Sequence, residues 1–342
     1  MRRESGAEAT LVYVDDETAL GIRRRRSGRG FVYVDSTGAR VGDREERLRL
    51  RALAIPPAWE DVWICADPRG HIQATGRDSR GRKQYCYHPD WQHVREATKF
   101  QELVRFAEAL PRLRVRVRRD LRRPRLCRER VLALVVDLLD RTLIRVGSDV
   151  YARENGSFGL TTLTKRHVAA QGQRLRFRFK SKSGKEWDVG LSDRRLVRAI
   201  RRCQELPGQR LFQYEDGHGT IHAVDSGEVN AYLQEIGGED MTSRRFRTWA
   251  ATVGVADRLA REPPPASKRE EARTINQALD EMAGRLGNTR AICRKSYVLP
   301  LVLESFAAGE LGPALARVAG YRRRGLTAAE ARVLAWLREQ QA

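Results

Sequence analysis

Closely spaced cysteine pairs and nucleotide-binding motifs are both missing from this sequence of 342 residues. The five cysteines are dispersed, without a CxxC pair, at Cys65, Cys86, Cys127, Cys203 and Cys293. An odd, scattered set is typical of a reduced protein and argues against a disulfide framework. The six histidines do not cluster with them, so we expect no metal site. Neither GxxxxGK[ST] nor GxGxxG occurs, which leaves no nucleotide cradle. We therefore expect chemistry that uses side chains alone, without a cofactor.

Long apolar runs are absent as well. No stretch approaches the roughly 18 apolar residues of a membrane span, and no apolar signal core follows the first residues. The sequence therefore predicts a cytoplasmic protein that makes no use of a membrane.

Positive charge is what the sequence has in excess. Lysine and arginine number 65 against 44 acidic residues, which gives a formal charge of +21. Such an imbalance predicts a polyanionic partner, most simply nucleic acid. The length suggests two domains.

Residues 1–93 have a mostly β pattern. Strands are predicted at 31–35, 62–65, 71–75 and 84–87, each beside turn residues, with a helix at about 43–54. The run from Arg23 to Arg26, taken alone, is most often a solvated loop.

One stretch of this region, residues 76–87, combines the side chains that DNA contacts require. Arg82 and Lys83 offer cations to phosphates, and the amide of Gln84 suits a base edge. Tyr85 and Tyr87 offer aromatic rings for stacking or sugar contact. A plain basic hairpin is the alternative interpretation.

From residue 94 the pattern is helical, with helices predicted at 94–109, 128–145, 192–205, 226–236, 242–260, 269–284, 289–308 and 326–341. Between them, residues 174–180 alternate strictly, which predicts a half-buried strand and places Lys182 at a hairpin tip. Ten arginines lie between residues 112 and 130. We interpret this run as a hinge between two lobes that close on a duplex.

The segment from Gly287 to Tyr297 contains a candidate nucleophile. Tyr297 follows two cations, Arg294 and Lys295, and lies nine positions after Asn288. Because Pro300 disfavours a continuing helix, Tyr297 is predicted on a short or distorted helical segment. Alone, it reads as an ordinary amphipathic tyrosine.

Five residues in order resemble the catalytic set of type IB DNA topoisomerases, especially the poxvirus-like and bacterial short forms: Arg145, Lys182, Arg247, Asn288 and Tyr297. Their contexts match as well, in Leu143-Ile144-Arg145-Val146-Gly147, Phe177-Arg178-Phe179-Lys180-Ser181-Lys182, Phe246-Arg247-Thr248-Trp249 and Ser296-Tyr297. The stretch 81–87 is similar to the DNA-contacting strand of that family's small N-terminal domain. The resemblance covers roughly residues 30–310.

The resemblance implies a reaction and roles for these residues. Tyr297 would attack a phosphodiester and hold the 3′ end as a phosphotyrosine, without ATP or metal. Arg145, Arg247 and Asn288 would stabilise the charged transition state, and Lys182 would protonate the departing 5′ oxygen. Poxvirus-like enzymes carry His where this chain has Asn288, which leaves a neutral hydrogen-bond donor there.

The resemblance also implies an α+β architecture. A small, mostly β DNA-binding domain (1–93) would precede a mainly helical catalytic domain (94–342) with a β-hairpin, the fold shared with tyrosine recombinases. The partner would be duplex DNA, bound by a monomeric clamp in a bacterial, nucleoid-associated enzyme. Tyr151 and Arg244 are added as candidate DNA contacts.

Two alternatives remain open. Tyrosine recombinases share the nucleophile, but their second arginine usually lies three residues after a His, where this chain has Arg244. Their N-terminal domain is usually helical, whereas residues 30–90 have a β pattern. The other alternative is a non-catalytic architectural DNA-binding protein.

Overall fold

The computed structural model describes residues 11–28 and 30–341, with the backbone alone for residues 92–98, 151 and 183. The chain divides into two compact units, the first ending at Lys99 and the second beginning at Phe100. In the described part of the chain, no helix has the length and apolar character needed to cross a membrane.

The first unit is built on an antiparallel sheet. Its strands are β1 (Gly21–Ser27), β2 (Gly30–Val34), β3 (Glu60–Cys65), β4 (Ile72–Arg77) and β5 (Lys83–Tyr87), in the order β2-β1-β3-β4-β5. Helix α1 (Arg44–Ala52) begins at Asp43, whose carboxylate accepts a hydrogen bond from the Glu46 amide and so caps the helix. The side chains of Ile22, Leu50 and Ile64 pack between helix and sheet.

The arginine run 23–26 is part of strand β1, so the expectation of a solvated loop was wrong. Arg24 donates hydrogen bonds to the carbonyls of Ile55, Pro56 and Trp59, and its guanidinium lies 4.2 Å from the Phe31 ring centroid. Pairing with β2 along the whole run, and with β3 at Arg23, therefore holds a segment whose hydropathy shows no alternation.

The second unit is mainly helical, with α2 continuing into it from the first. The helices are α2 (Pro89–Asp120), α3 (Arg128–Thr142), α4 (Asp149–Asn155), α5 (Arg194–Glu205), α6 (Ser226–Gly237), α7 (Ser243–Leu259), α8 (Lys268–Leu286), α9 (Arg290–Tyr297), α10 (Pro300–Ala307), α11 (Leu311–Arg317) and α12 (Ala328–Glu339). An antiparallel-sheet region followed by a mainly helical one confirms the predicted α+β composition.

Two helix predictions need correction. The helix expected at 94–109 continues to Asp120 with Pro111 inside it, so the first half of the arginine run is helical and is no hinge. The helix expected at 289–308 is two helices, because Val298 is extended and Pro300 opens α10.

Acidic side chains from distant segments pair with several arginines of the run 112–130. Arg114 contacts Asp140 and Glu330, and Arg128 contacts Glu228. Because these carboxylates are far away in sequence, the local count of charges overstated the repulsion within the run.

A three-stranded antiparallel sheet carries the hairpin of the second unit. Its strands are β6 (Val168–Gln171), β7 (Arg174–Lys180) and β8 (Glu186–Ser192), with β7 in the middle. Leu175, Phe177 and Phe179 are buried and alternate with exposed basic residues, as the sequence pattern predicted. Lys182 opens a single 3-10 turn at the hairpin tip. A short hairpin, β9 (Gln213–Glu215) and β10 (Ile221–Ala223), completes the strands of the described chain.

Candidate active site

Tyr297 is the last residue of α9. The hydroxyl of Thr289 accepts a hydrogen bond from the Ile292 amide and caps the start of this helix. At the other end, the Tyr297 carbonyl accepts one from the Thr252 hydroxyl at 3.3 Å. The tyrosine ring is therefore held at a helix terminus, half-buried, as the position of Pro300 predicted.

Arg247, on α7, lies beside this ring. Its side chain is 2% exposed, and its guanidinium carbon is 5.0 Å from the Tyr297 ring centroid. Its Nη2 donates to the Leu286 carbonyl at 2.8 Å, and Nη1 donates to the Leu143 carbonyl. Its buried Nε has no partner within the protein. Arg247 is thus a structural cation that keeps one donor unused.

The two carbonyls that Arg247 holds belong to helix ends. Leu143 caps α3 in the left-handed conformation, with φ at 59°, and Leu286 is the last residue of α8. A cation is favourable at a helix C-terminus, where carbonyls lack intrahelical partners. Arg145 follows two residues after the first carbonyl, and Asn288 two residues after the second. The arginine therefore brings these two side chains together.

Arg145 and Asn288 are in direct contact, since Arg145 Nη2 donates to Asn288 Oδ1. Asn288 is only 6% exposed. Two further donors of this pair, Arg145 Nη1 and Asn288 Nδ2, are buried without a hydrogen-bond partner in the protein. Buried donors almost always have a partner, so this pair is suited to an anionic acceptor.

A cavity of about 240 Å³ adjoins these groups. Its lining includes Arg145, Lys182, Arg244, Arg247 and Tyr297. The structure therefore brings four of the five predicted catalytic residues to one cavity, and the fifth, Asn288, is bonded to Arg145. The candidate DNA contact Arg244 lies on the same cavity.

The electrostatics of the site make the tyrosine more acidic. Burial alone would raise the pKa of Tyr297, but the positive charges of Arg247, Arg145 and Arg244 outweigh it and lower that pKa below its ordinary value. Burial, together with the neighbouring Arg145 charge, lowers the pKa of Arg247 to about 10. Closely spaced cations of this kind are suited to gathering negative charge.

The predicted DNA-contacting residues 82–87 lie on and just before edge strand β5 in the first unit. Tyr85 is 43% exposed and stacks on Tyr87 with ring centroids 5.9 Å apart. Arg82 and Gln84 both donate to the Asp78 carboxylate, at 2.9 and 3.0 Å.

Acidic residues therefore engage the polar groups of this strand. The hydrogen bond from Arg82 lowers the pKa of Asp78 to about 2, so this carboxylate is charged. Lys83 Nζ lies 2.9 Å from Asp16 and 3.2 Å from Glu17. The side chain of Tyr151, the remaining candidate contact, lies outside the described residues.

A second basic surface covers the exposed face of the sheet β6-β7-β8. There a trough of about 610 Å³ is lined by Arg166, Arg174, Arg176 and Arg178. Asp188 pairs with two of them. The alternation of β7 contained this signal, but the sequence reasoning used it only to predict the strand.

Sequence reasoning missed one contact at the site itself. Lys185 Nζ donates to the Asn288 carbonyl at 2.8 Å. The available signal was only a second lysine three positions after Lys182. Among the side chains that the structure describes, no group of three or more His, Cys, Asp or Glu could hold a metal ion.

Comparisons with known proteins identify the family of this chain. The family described as "Eukaryotic DNA topoisomerase I, catalytic core" matches residues 88–305, and "Bacterial DNA topoisomerase IB, N-terminal domain" matches residues 30–78. The chain is 34% identical over 303 residues to the DNA topoisomerase 1B of Acanthamoeba polyphaga mimivirus, spanning 86% of this chain and 90% of that protein. It is 22% identical over 249 residues to the DNA topoisomerase 1B of vaccinia virus (strain Copenhagen), spanning 72% and 75%.

Proposed function

This chain belongs to the type IB DNA topoisomerases, enzymes that relax supercoiled duplex DNA, and from that premise we propose which of its residues carry the reaction. Tyr297 is the nucleophile, and Arg145, Lys182, Arg247 and Asn288 assist it. The observation that carries this assignment is the single cavity lined by Tyr297, Lys182 and the two arginines, with Asn288 bonded to Arg145.

The cleavage step is an exchange of phosphodiester bonds. Tyr297 loses its proton to water, and the phenolate oxygen forms a bond to phosphorus. The bond from phosphorus to the 5′ oxygen breaks, and its electron pair stays on that oxygen, which takes a proton from the Lys182 ammonium. The 3′ end remains linked to Tyr297. Religation reverses each step. The phosphotyrosine retains the energy of the broken phosphodiester bond, so the cycle requires neither ATP nor metal.

The two arginines and the asparagine act on the non-bridging oxygens. Negative charge accumulates there in the transition state, and preorganised donors stabilise it without reorganisation. The unused donors Arg145 Nη1, Arg247 Nε and Asn288 Nδ2 are suited to this role because each is buried and has no protein partner. The neutral amide of Asn288 provides a hydrogen bond and no proton.

The nucleophile is tested by Tyr297→Phe. This variant keeps the ring beside Arg247, so it should bind duplex DNA normally. It should form no covalent adduct and leave supercoiled plasmid unrelaxed, whereas the unmodified protein relaxes plasmid of either sign in EDTA without ATP. Relaxation by purified Tyr297→Phe would overturn the assignment, and loss of relaxation in EDTA would overturn the metal-free cycle.

The role of Lys182 is tested with a duplex whose bridging 5′ oxygen at the cleaved bond is replaced by sulfur. A thiolate leaves without a proton, so Lys182→Ala should regain most of its cleavage rate on that duplex. Arg145→Ala should regain far less, because its defect lies at the non-bridging oxygens. Equal recovery of both variants, or of neither, would contradict the general-acid role.

DNA binding is proposed to involve both units, with a monomer forming a clamp around the duplex. In the second unit, which we propose has the catalytic fold shared with tyrosine recombinases, the arginine trough on the sheet β6-β7-β8 and Arg244 supply cations, together with Tyr151. In a cell this would make the protein nucleoid-associated. Sedimentation of the free protein as a dimer would contradict the monomer.

In the first unit, Arg82 and Lys83 bind phosphates, Gln84 reads a base edge, and Tyr85 and Tyr87 contact the duplex with their rings. Neutralising the two cations should weaken binding to all sequences, whereas Gln84→Ala should change the pattern of mapped cleavage sites. An unchanged pattern would exclude base readout by Gln84. Two observations argue against the alternative of a tyrosine recombinase: the antiparallel sheet of this unit and its match to a bacterial type IB N-terminal domain.

A further inference from the structure

We propose that Lys185 is a positioning residue that fixes the hairpin carrying Lys182 against the segment carrying Asn288. The inference rests on the proposed general-acid role of Lys182. It assigns to Lys185 no contact with DNA and no proton transfer.

The base of the hairpin contacts the segment that follows α4. There the Phe158 amide donates to the Lys180 carbonyl at 2.8 Å. The tip is a closed turn, in which the Ser181 amide donates to the Lys185 carbonyl at 2.8 Å and the Gly184 amide to the Ser181 carbonyl at 3.0 Å. Lys182 and Lys185 therefore belong to one rigid turn, and a displacement of either moves the other.

The return of this turn is fastened to the site by the side chain of Lys185. Its Nζ donates to the main-chain carbonyl of Asn288 at 2.8 Å. The Asn288 side chain accepts a hydrogen bond from Arg145, and the main-chain nitrogen of Asn288 donates to the Ala283 carbonyl at 2.9 Å. The anchor point of Lys185 is thus a residue held through both its main chain and its side chain, which makes it a suitable reference for the hairpin.

A second contact supports the same docking. The Trp187 indole, 7% exposed, lies against the backbone of Gly287, where an added Cβ would come within 2.8 Å of the indole nitrogen. Phe179, the residue paired with Trp187 on the neighbouring strand, stacks on the indole with ring centroids 6.1 Å apart. Trp187 positions the strand, and Lys185 positions the tip beyond it.

The consequence for the reaction is geometric. A general acid must be within hydrogen-bond reach of the leaving oxygen, and small displacements of a reacting group reduce rates steeply. Without the Lys185 contact the tip keeps the hydrogen bond from the Ser157 hydroxyl to the Ser181 carbonyl but loses its attachment to Asn288. Lys182 would then meet the 5′ oxygen less often. The non-bridging oxygens would still be held by Arg145 and Arg247.

The test compares oxygen- and sulfur-bridged duplexes in single-turnover cleavage by the full-length protein. Lys185→Met keeps the length of the side chain but removes the donor. We expect it to slow cleavage of the oxygen duplex by roughly 10- to 100-fold and to regain most of the rate on the sulfur duplex. Lys185→Arg keeps a donor and should retain most of the activity.

Two controls separate positioning from charge and from folding. Lys180→Met removes one cation from the same hairpin without touching Asn288, and any loss it causes should be equal on both duplexes. Thermal unfolding of each variant identifies a folding defect, and Lys185→Gln, whose shorter amide falls short of the carbonyl, repeats the test should Lys185→Met be unstable.

Wild-type rates for Lys185→Met on the oxygen duplex would overturn the proposal, as would an equal defect on both duplexes. Running Lys182→Ala in parallel tells the two failures apart. If sulfur restores Lys182→Ala but not Lys185→Met, the positioning role alone is wrong. If sulfur restores neither, the general-acid role of Lys182 is wrong and the inference falls with it.

Discussion

Replacing Arg247 by methionine should damage stability as well as chemistry. The side chain is 2% exposed and donates to the carbonyls that end α3 and α8. Methionine fills a similar volume, so the change removes the donors with little new cavity. The matched variant is Arg145→Met, which also removes a cation from the site but gives up a hydrogen bond to one side chain, Asn288.

The magnitude follows from the contacts. Each of the two charged hydrogen bonds contributes about 1.5–3 kcal/mol, and each leaves a buried carbonyl unpaired when it is lost. The substitution also removes a buried positive charge that lies beside Arg145. Its removal is favourable and offsets part of that loss, as the lowered pKa of Arg247 indicates. We therefore expect Arg247→Met to lower the free energy of unfolding by about 2–4 kcal/mol, and Arg145→Met by about 1 kcal/mol.

Unfolding in urea and by heat, without DNA, measures the difference. At about 2–4 °C per kcal/mol for a unit of this size, Arg247→Met should melt roughly 5–15 °C below the unmodified protein. Both variants should lose covalent adduct formation. Equal melting temperatures for Arg247→Met and Arg145→Met would refute the idea that Arg247 joins the two helix ends.

Three further predictions concern ionisation, DNA affinity and backbone strain. Because neighbouring cations lower the pKa of Tyr297, the single-turnover cleavage rate should rise with pH to a midpoint below the ordinary pKa of tyrosine. Arg244→Gln should move that midpoint upward, and an unmoved midpoint would exclude Arg244 as a contributor. Asp78→Asn keeps the oxygen that accepts from the Arg80 and Arg82 amides but removes the charge that Arg82 and Gln84 contact, so it should bind duplex DNA more tightly than Asp35→Asn, a matched change at another exposed turn of the same unit. Equal affinities would contradict competition by Asp78. Gly287→Ala should lower the free energy of unfolding by at least about 1–2 kcal/mol, because φ is +60° and a Cβ would meet Trp187. Gly284→Ala, inside α8 with open space around it, should leave the free energy of unfolding in urea unchanged or raise it.

The sequence predicted elements wherever hydropathy alternates or repeats. Strand β7 is the clearest case, because Leu175, Phe177 and Phe179 alternate with arginines and lie in the core. Strand β1 was missed because four successive arginines show no period, and only pairing with neighbouring strands keeps them extended. Local pattern carries no information about such pairing.

The sequence predicted only part of the site, for a comparable reason. The order and context of Arg145, Arg247 and Tyr297 identified the residues, and the structure places them at one cavity. The sequence did not show how these residues come together, because Arg247 donates to carbonyls that lie 104 and 39 positions away along the chain. Residue identity does not indicate which main-chain carbonyl accepts a hydrogen bond. The same applies to the carbonyl that Lys185 contacts.

The wide spacing of the site along the chain has a consequence for biosynthesis. Ribosomes build proteins from the N-terminus, so Arg82 and the strand with Gln84 are made well before Tyr297, the proposed nucleophile. The Asn288 partner of Arg145 is likewise made 143 residues later. A chain that stalls or is truncated before α9 contains strand β5, which we propose contacts DNA, but no Tyr297. With the roles proposed above, unfinished copies of the chain would bind DNA without being able to break it.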